Sequence, residues 1–377
     1  MLSRSIRASV ALALLATQVG AGTSAPVSLE SARRALASGD AAGAVEIYDS
    51  LTQQGESLEA EIGLVRASLQ AGQFRKAVSS ATVTANEHTE SSEAVALLAY
   101  VHDRAGYTEQ ALKALKQLRT DRPDDPIASA ALATVLMDRG GKVSAADQAA
   151  SRKWPRPAFQ EFPIGKARVL AGGNGIVVDG GQHVLTYSAV LPKAAKAIYV
   201  RNGLGKVRRA VRESGDQRGE LVRLKLTEPY PATWALANDQ IVSADGARFC
   251  FAFGYSASAS PEGSFPAISP GTVFRADAGV GGLMQVTTAQ GAGNIGSPVF
   301  DPRGRLLGLT VGPGDIPIGG ENLRPRVGVG QFALRVIPPD PVKGPMTYPT
   351  GKMPPMPAVE ELYERLMPSI VQIVSVE

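Results

Sequence analysis

The sequence predicts a multidomain α plus β chain: an N-terminal α-solenoid of helical repeats followed by a double β-barrel. Three observations carry this. The 377 residues are 44% hydrophobic and 20% charged, too long for one core of ordinary size and too apolar for a disordered chain. Glycines recur at 39, 72, 106 and 140, which is an internal repeat. After Pro155 the alanine-rich helical pattern gives way to glycine and short alternating apolar runs, the signature of a sandwich or barrel. A net charge of +4 is small for this length, so no nucleic-acid partner is expected. The single cysteine, Cys250, excludes an internal disulfide framework and any multi-thiolate zinc site. Only His88, His102 and His183 are available for imidazole chemistry, and no clustered ligand spacing appears, so neither metal nor cofactor is expected.

Residues 1–25 carry Arg4 and Arg7, an apolar run over 8–19 and then small residues, the layout of a secretory signal peptide. The run is shorter than the roughly 18 to 20 residues a membrane span needs, and no later segment qualifies. The expectation is an exported protein, periplasmic or secreted, without a transmembrane segment.

Over 28–152 each marker glycine is followed five positions later by alanine, at Ala44, Ala77, Ala111 and Ala145, and three are preceded by leucine, at Leu64, Leu98 and Leu132. Glycine supplies a tight turn between two antiparallel helices, and alanine lets those helices approach closely. Phe74 and Tyr107 follow two of the turns. This register resembles the tetratricopeptide (TPR) repeat, and the resemblance implies a curved stack with a concave binding groove. Spacing or dimerisation is the alternative role for such a stack.

Residues 155–337 hold strand candidates at 167–170, 175–178, 183–187, 197–201, 221–226, 248–253, 271–275, 283–287, 298–300, 306–311 and 328–334, enough for two small antiparallel barrels. Three stretches then stand in order: G-N-G-I-V-V-D-G-G-Q-H-V-L-T-Y-S-A-V-L at 173–191, G-E-L-V-R-L-K-L at 219–226, and G-A-G-N-I-G-S-P-V-F-D-P-R-G-R-L-L-G-L at 291–309. They resemble the trypsin-like fold of HtrA/Deg-type serine proteases. In that family the first supplies a histidine base, the second an aspartate that orients it, and the third a serine nucleophile. Here Ala189, Glu220 and Ile295 occupy those slots. A methyl accepts no proton, a branched alkyl group carries no nucleophile, and acyl transfer on this template needs both. The chain is therefore expected to be a pseudoenzyme with no catalytic residues. The loop Gly293, Asn294, Ile295, Gly296 and Ser297 stays a candidate oxyanion pocket. The strand with Leu309, Thr310 and Val311 is a candidate for pairing with an extended ligand. An active protease using Ser297 is the competing reading, although His183, six residues before the histidine slot, is a poor base.

The basic residues Lys196, Arg201, Lys206, Arg208, Arg209 and Arg212 read as a solvated, hairpin-like surface open to an acidic partner or lipid headgroups. Residues 337–357 hold eight prolines and read as an extended linker. Over 358–367 the apolar spacing is helical, Pro368 stops it, and 369–376 alternates with both faces apolar. That closing segment resembles the opening of an HtrA-type domain. Either it begins a truncated second domain or it returns to fill a barrel edge, in the same molecule or in a neighbour, which keeps a homo-oligomer through 358–377 open. Three functions compete: an adaptor binding protein or peptide through the array's groove or the β-cleft, an atypical protease, and a structural envelope component.

Overall fold

A computed structural model describes residues 27–55, 57–218, 221–242, 249–255, 263–275, 283–288, 295–311, 331–335 and 357–377. The expected signal peptide and nearly all of the expected linker lie outside the described residues.

Four helix pairs open the chain: α1 (Leu29–Ala37) with α2 (Ala41–Gln53), α3 (Leu58–Gln70) with α4 (Phe74–Glu87), α5 (Ser92–Arg104) with α6 (Thr108–Asp121), and α7 (Pro126–Asp138) with α8 (Ala145–Ser151). The marker glycines sit at the turns within these pairs at φ +81, +76, +94 and +71, a region that costs a side chain strain and glycine little. Ala44, Ala77 and Ala111 are buried where the helices cross. Side chains of Ser28, Ser91 and Asp125 cap free amides at the starts of α1, α5 and α7, each worth about 1 kcal/mol.

The first barrel is built from β1 (Val169–Val178), β2 (His183–Tyr187), β3 (Ala197–Asn202), β4 (Val207–Arg218), β5 (Leu221–Leu226) and β12 (Ile370–Val376), closed in the order β1-β12-β3-β4-β5-β2. The second comprises β6 (Phe249–Gly254), β7 (Ala267–Arg275), β8 (Leu283–Val286), β9 (Pro298–Phe300), β10 (Leu306–Thr310) and β11 (Gln331–Arg335), closed as β10-β11-β8-β7-β6-β9. Closure leaves neither sheet with an exposed edge.

Two findings sharpen the sequence expectation. The basic run does form the expected hairpin, β3 paired with β4, and exposes Lys196, Arg209 and Arg212, but Arg201 and Arg208 are taken up by the fold. Arg201 is 1% exposed, donates to Gln372 Oε1 at 2.6 Å and lies 4.5 Å from the Phe162 ring, while Arg208 pairs with Glu228 at 3.1 Å. Aromatic faces and carboxylates take up these guanidinium groups, as their planar, weakly hydrated shape allows. The C-terminal strand, which the sequence left between two readings, returns within the same chain. It is inserted between β1 and β3, with Gly172 opposite Val374 and Val200 opposite Ile373. Its doubly apolar character now has a cause. Val371 and Ile373 fill the first barrel's core, and Val374 and Val376 lie under Phe162 on the outer face.

Helix α9 (Val359–Leu366) leads into that strand and binds the parts together. Tyr363 is fully buried, stacks on Phe74 of α4 at 3.8 Å, lies 4.8 Å from Phe253 of β6 and donates its hydroxyl to Pro266 O at 2.6 Å. Beside it, Arg104 bonds Asp103 at 2.5 Å, Asp138 at 2.9 Å and Phe265 O at 3.0 Å. One apolar cluster runs from the array through α9 into the second barrel.

Candidate functional site

At the candidate site the end of β2 and the loop at Ile295 meet on the first barrel's core. Strand β2 ends in a short 3₁₀ turn, Ser188–Val190, in which Val190 is buried and Ala189 is exposed. Ile295 is half-buried, and its side chain packs against the core of the first barrel, the cluster that contains Tyr187, Val190 and Val311. Glu220, Gly293 and Asn294 lie outside the described residues.

Asn174 fastens this junction. It is 1% exposed. Its backbone N–H donates to Ile295 O at 2.8 Å, its Nδ2 donates to Tyr255 O at 3.0 Å, and its Oδ1 accepts from Tyr255 N–H at 2.6 Å. Thr186 Oγ1 donates to Asn174 O at 2.7 Å. A single buried amide thus ties the first barrel to the end of β6 and to the 295 loop. Asn174 lies within the first motif, but nothing local in the sequence marks its role, because its partners lie 81 and 121 residues away.

Two of the loop's amides are engaged. Gly296, at φ +79, donates its N–H to Thr310 O at 2.8 Å, and Ser297 N–H donates to Thr310 Oγ1 at 2.9 Å. Neither of these two amides is free to serve as an oxyanion donor. Leu309 is paired with Pro298 on one side and Leu334 on the other, and Thr310 N–H donates to Ser297 O at 2.9 Å. Both edges of β10 are thus taken by β9 and β11 as far as Thr310, which leaves no room for an added strand along Leu309 and Thr310.

Ser297 is 1% exposed, and its Oγ is buried without a hydrogen-bond partner. A base must lie within about 3 Å of a nucleophile. His183 stands three residues up β2 from Thr186, about 10 Å along a strand at about 3.3 Å per residue. Its ring instead meets Asp179 at 3.3 Å, Glu213 at 3.4 Å and Arg223 at 3.0 Å. Burial pushes the Cys250 thiol up to about 12, which leaves it protonated and unreactive at neutral pH.

Against the expectation that no ligand cluster exists, ligand atoms of Glu61, Glu87 and His88 lie within 4.8 Å of one another on the array's surface. Spacing hid this group, since Glu61 and His88 are 27 residues apart. Its closest pair, His88 Nε2 and Glu61 Oε1 at 3.4 Å, is an ion pair whenever the ring is protonated.

The array contributes a second concavity. Helices α1, α3 and α5 line a cavity of about 690 Å³ whose walls include Leu36, Tyr48, Arg66 and Tyr100, closed on one side by residues 154–158 and Phe265. A space of this size suits a ligand or part of a peptide.

Residues 173–309 match the family model described as trypsin-like peptidase domain. The chain carries a trypsin-like domain. Among solved structures it is similar to the MamO protease domain from Magnetospirillum magneticum in its apo form, at 22% identity over 45% of this chain and 87% of that one, with a TM-score of 0.34. It is also similar to Deg5, at 18% identity over 45% of this chain and 80% of that one, with a TM-score of 0.32. No curated protein matches the chain. The family match begins at Gly173, beside Asn174, and the strand that completes the trypsin-like domain's first barrel lies far outside it, at the C-terminus.

Proposed function

We propose that the protein is an exported, non-catalytic adaptor that binds protein or peptide through the repeat array and the trypsin-like domain. The observation that carries this reading is the makeup of the cleft. An exposed methyl, Ala189, stands on the turn expected to hold the base, and Ile295 packs its alkyl group into the first barrel's core. The buried Ser297 hydroxyl has no imidazole within reach. Acyl transfer requires a nucleophile, a base in hydrogen-bond contact and an orienting group, whereas binding requires only concavity and free polar groups. The 690 Å³ cavity of the array supplies the concavity. Export rests on the layout of residues 1–25, and no helix among the described residues is long and apolar enough to cross a membrane.

The test uses the chain without residues 1–25 and fluorescein-labelled, unfolded casein. Anisotropy should rise saturably with protein concentration while casein stays intact on a denaturing gel for hours. Progressive cleavage, or no rise at all, would contradict the adaptor reading.

A further inference from the structure

One wall of the array's cavity is an extended segment of the same chain. Residues 154–158, W-P-R-P-A, leave the last repeat helix without regular structure and close one side of the cavity lined by α1, α3 and α5. Trp154 is 5% exposed, and its ring lies 5.6 Å from Tyr100 of α5. Gln70, the last residue of α3 and 5% exposed, grips both main-chain groups of Ala158. The Ala158 N–H donates to Gln70 Oε1 at 2.8 Å, and Gln70 Nε2 donates to Ala158 O at 3.2 Å. A carboxamide offers a donor and an acceptor side by side, so it reads a backbone without reading the side chain on it. Side-chain selection comes from the aromatic seat at Tyr100. Beyond Ala158 the segment is fastened to the first barrel, where Gln160 N–H donates to Gly205 O at 3.0 Å and Gln160 Oε1 accepts from Val207 N–H at 2.8 Å.

This inference rests on the adaptor reading and specifies its ligand and its regulation. We propose that residues 154–158 are a built-in competitor for the array's groove. The external ligand is an extended peptide of the same chemistry, an aromatic side chain for the Tyr100 seat and, four residues on, a small residue whose backbone Gln70 grips. It enters by displacing the strap. A tethered competitor acts at an effective concentration of about millimolar for short linkers, so the intact chain binds such peptides weakly until the strap is loosened.

The probe is a fluorescein-labelled synthetic peptide with the sequence of residues 151–160, titrated into the chain lacking residues 1–25. Ala158→Pro removes the N–H that Gln70 accepts and leaves the groove residues unchanged. The variant should bind the probe at least about ten-fold more tightly than the wild type, given the millimolar tether, and adding Gln70→Leu should abolish the gain. The wild-type chain supplies a readout independent of any variant: excess unlabelled peptide should accelerate hydrogen exchange of the Ala158 amide several-fold and leave the amides of α6 unchanged. Equal affinities for wild type and Ala158→Pro, a gain that survives Gln70→Leu, or unaltered Ala158 exchange would each overturn the proposal. If casein still binds without cleavage in that event, the adaptor reading stands and only the strap mechanism falls.

Discussion

Ser297 and Gly254 show how tightly the old catalytic loop is packed. A Cβ at Gly254 would fall inside the contact distance of Ser297 Oγ and 2.9 Å from Asn174 Oδ1. Gly254→Ala should therefore cost about 1 to 3 kcal/mol, the usual cost of overpacking, and Ser297→Gly in the same chain should restore part of it. Denaturant melts of the two single variants and the double variant measure this, and simple additivity would contradict the packing argument. Asp103 gives a prediction in pH. Burial pushes its carboxyl up, but Arg104 and Arg139 outweigh that and hold it below the ordinary range. A carboxyl depressed in the folded state stabilises the fold above its unfolded value of about 3.9 and loses that contribution as pH falls through the folded value. Neighbouring Asp138 is raised by burial and takes up a proton first, so the steep loss belongs to Asp103. Asp103→Asn should destabilise by about 3 to 5 kcal/mol at neutral pH, as breaking a buried pair does, and flatten the acid limb of a melting-temperature profile below pH of about 4. An unchanged acid limb would assign the acid sensitivity elsewhere. At this scale the sequence offered Ala189 and Ile295 as candidates, because each stands inside a short motif with a fixed order. It gave Asn174 no role and did not see the Gln70 grip on Ala158, because both depend on partners that only tertiary folding brings near.

Strand β12 carries the prediction at the scale of elements. Ala197 on β3 stands opposite Val376 on β12, and directly paired antiparallel residues place their Cα atoms about 4.5 to 5.5 Å apart, within disulfide range. Ala197→Cys with Val376→Cys should form an intramolecular bond in a monomer, seen as a single-chain species on a non-reducing gel. Cys250, buried and protonated, should not compete. A disulfide-linked dimer would show that the strand comes from a neighbouring molecule. A chain ending at residue 356 loses β12, leaves one edge each of β1 and β3 open, and should lack a native near-ultraviolet circular dichroism spectrum. The repeat turns were legible because four glycines with positive φ recur in register. Most strands were legible from alternation. Strand β4 was not, because its arginines carry the polarity of a loop, and only the folded structure supplies Tyr230 and Glu228 for Arg208 and the Pro192 carbonyl for Arg212.

The whole molecule is built around one interface. Phe74 of the array, Phe253 of the second barrel and Tyr363 of the C-terminal helix form a continuous aromatic contact, and the same helix delivers the strand that completes the first barrel. Array and trypsin-like domain should therefore unfold together. Calorimetry should show one transition with calorimetric and van't Hoff enthalpies in agreement, and Tyr363→Ala should lower it or split it in two. A wild-type chain with two resolved transitions would mean that the array and the barrels are energetically independent.

Incubation of the chain lacking residues 1–25 with excess fluorophosphonate, followed by intact-mass measurement beside active trypsin as a control, tests most directly whether the cleft has lost its chemistry. On the proposed reading, with Ala189 and Ile295 in the base and nucleophile slots and Ser297 buried, the mass should not change while trypsin is labelled to completion. A stoichiometric adduct that maps to Ser297 and disappears in Ser297→Ala would contradict the non-catalytic reading and establish a working nucleophile.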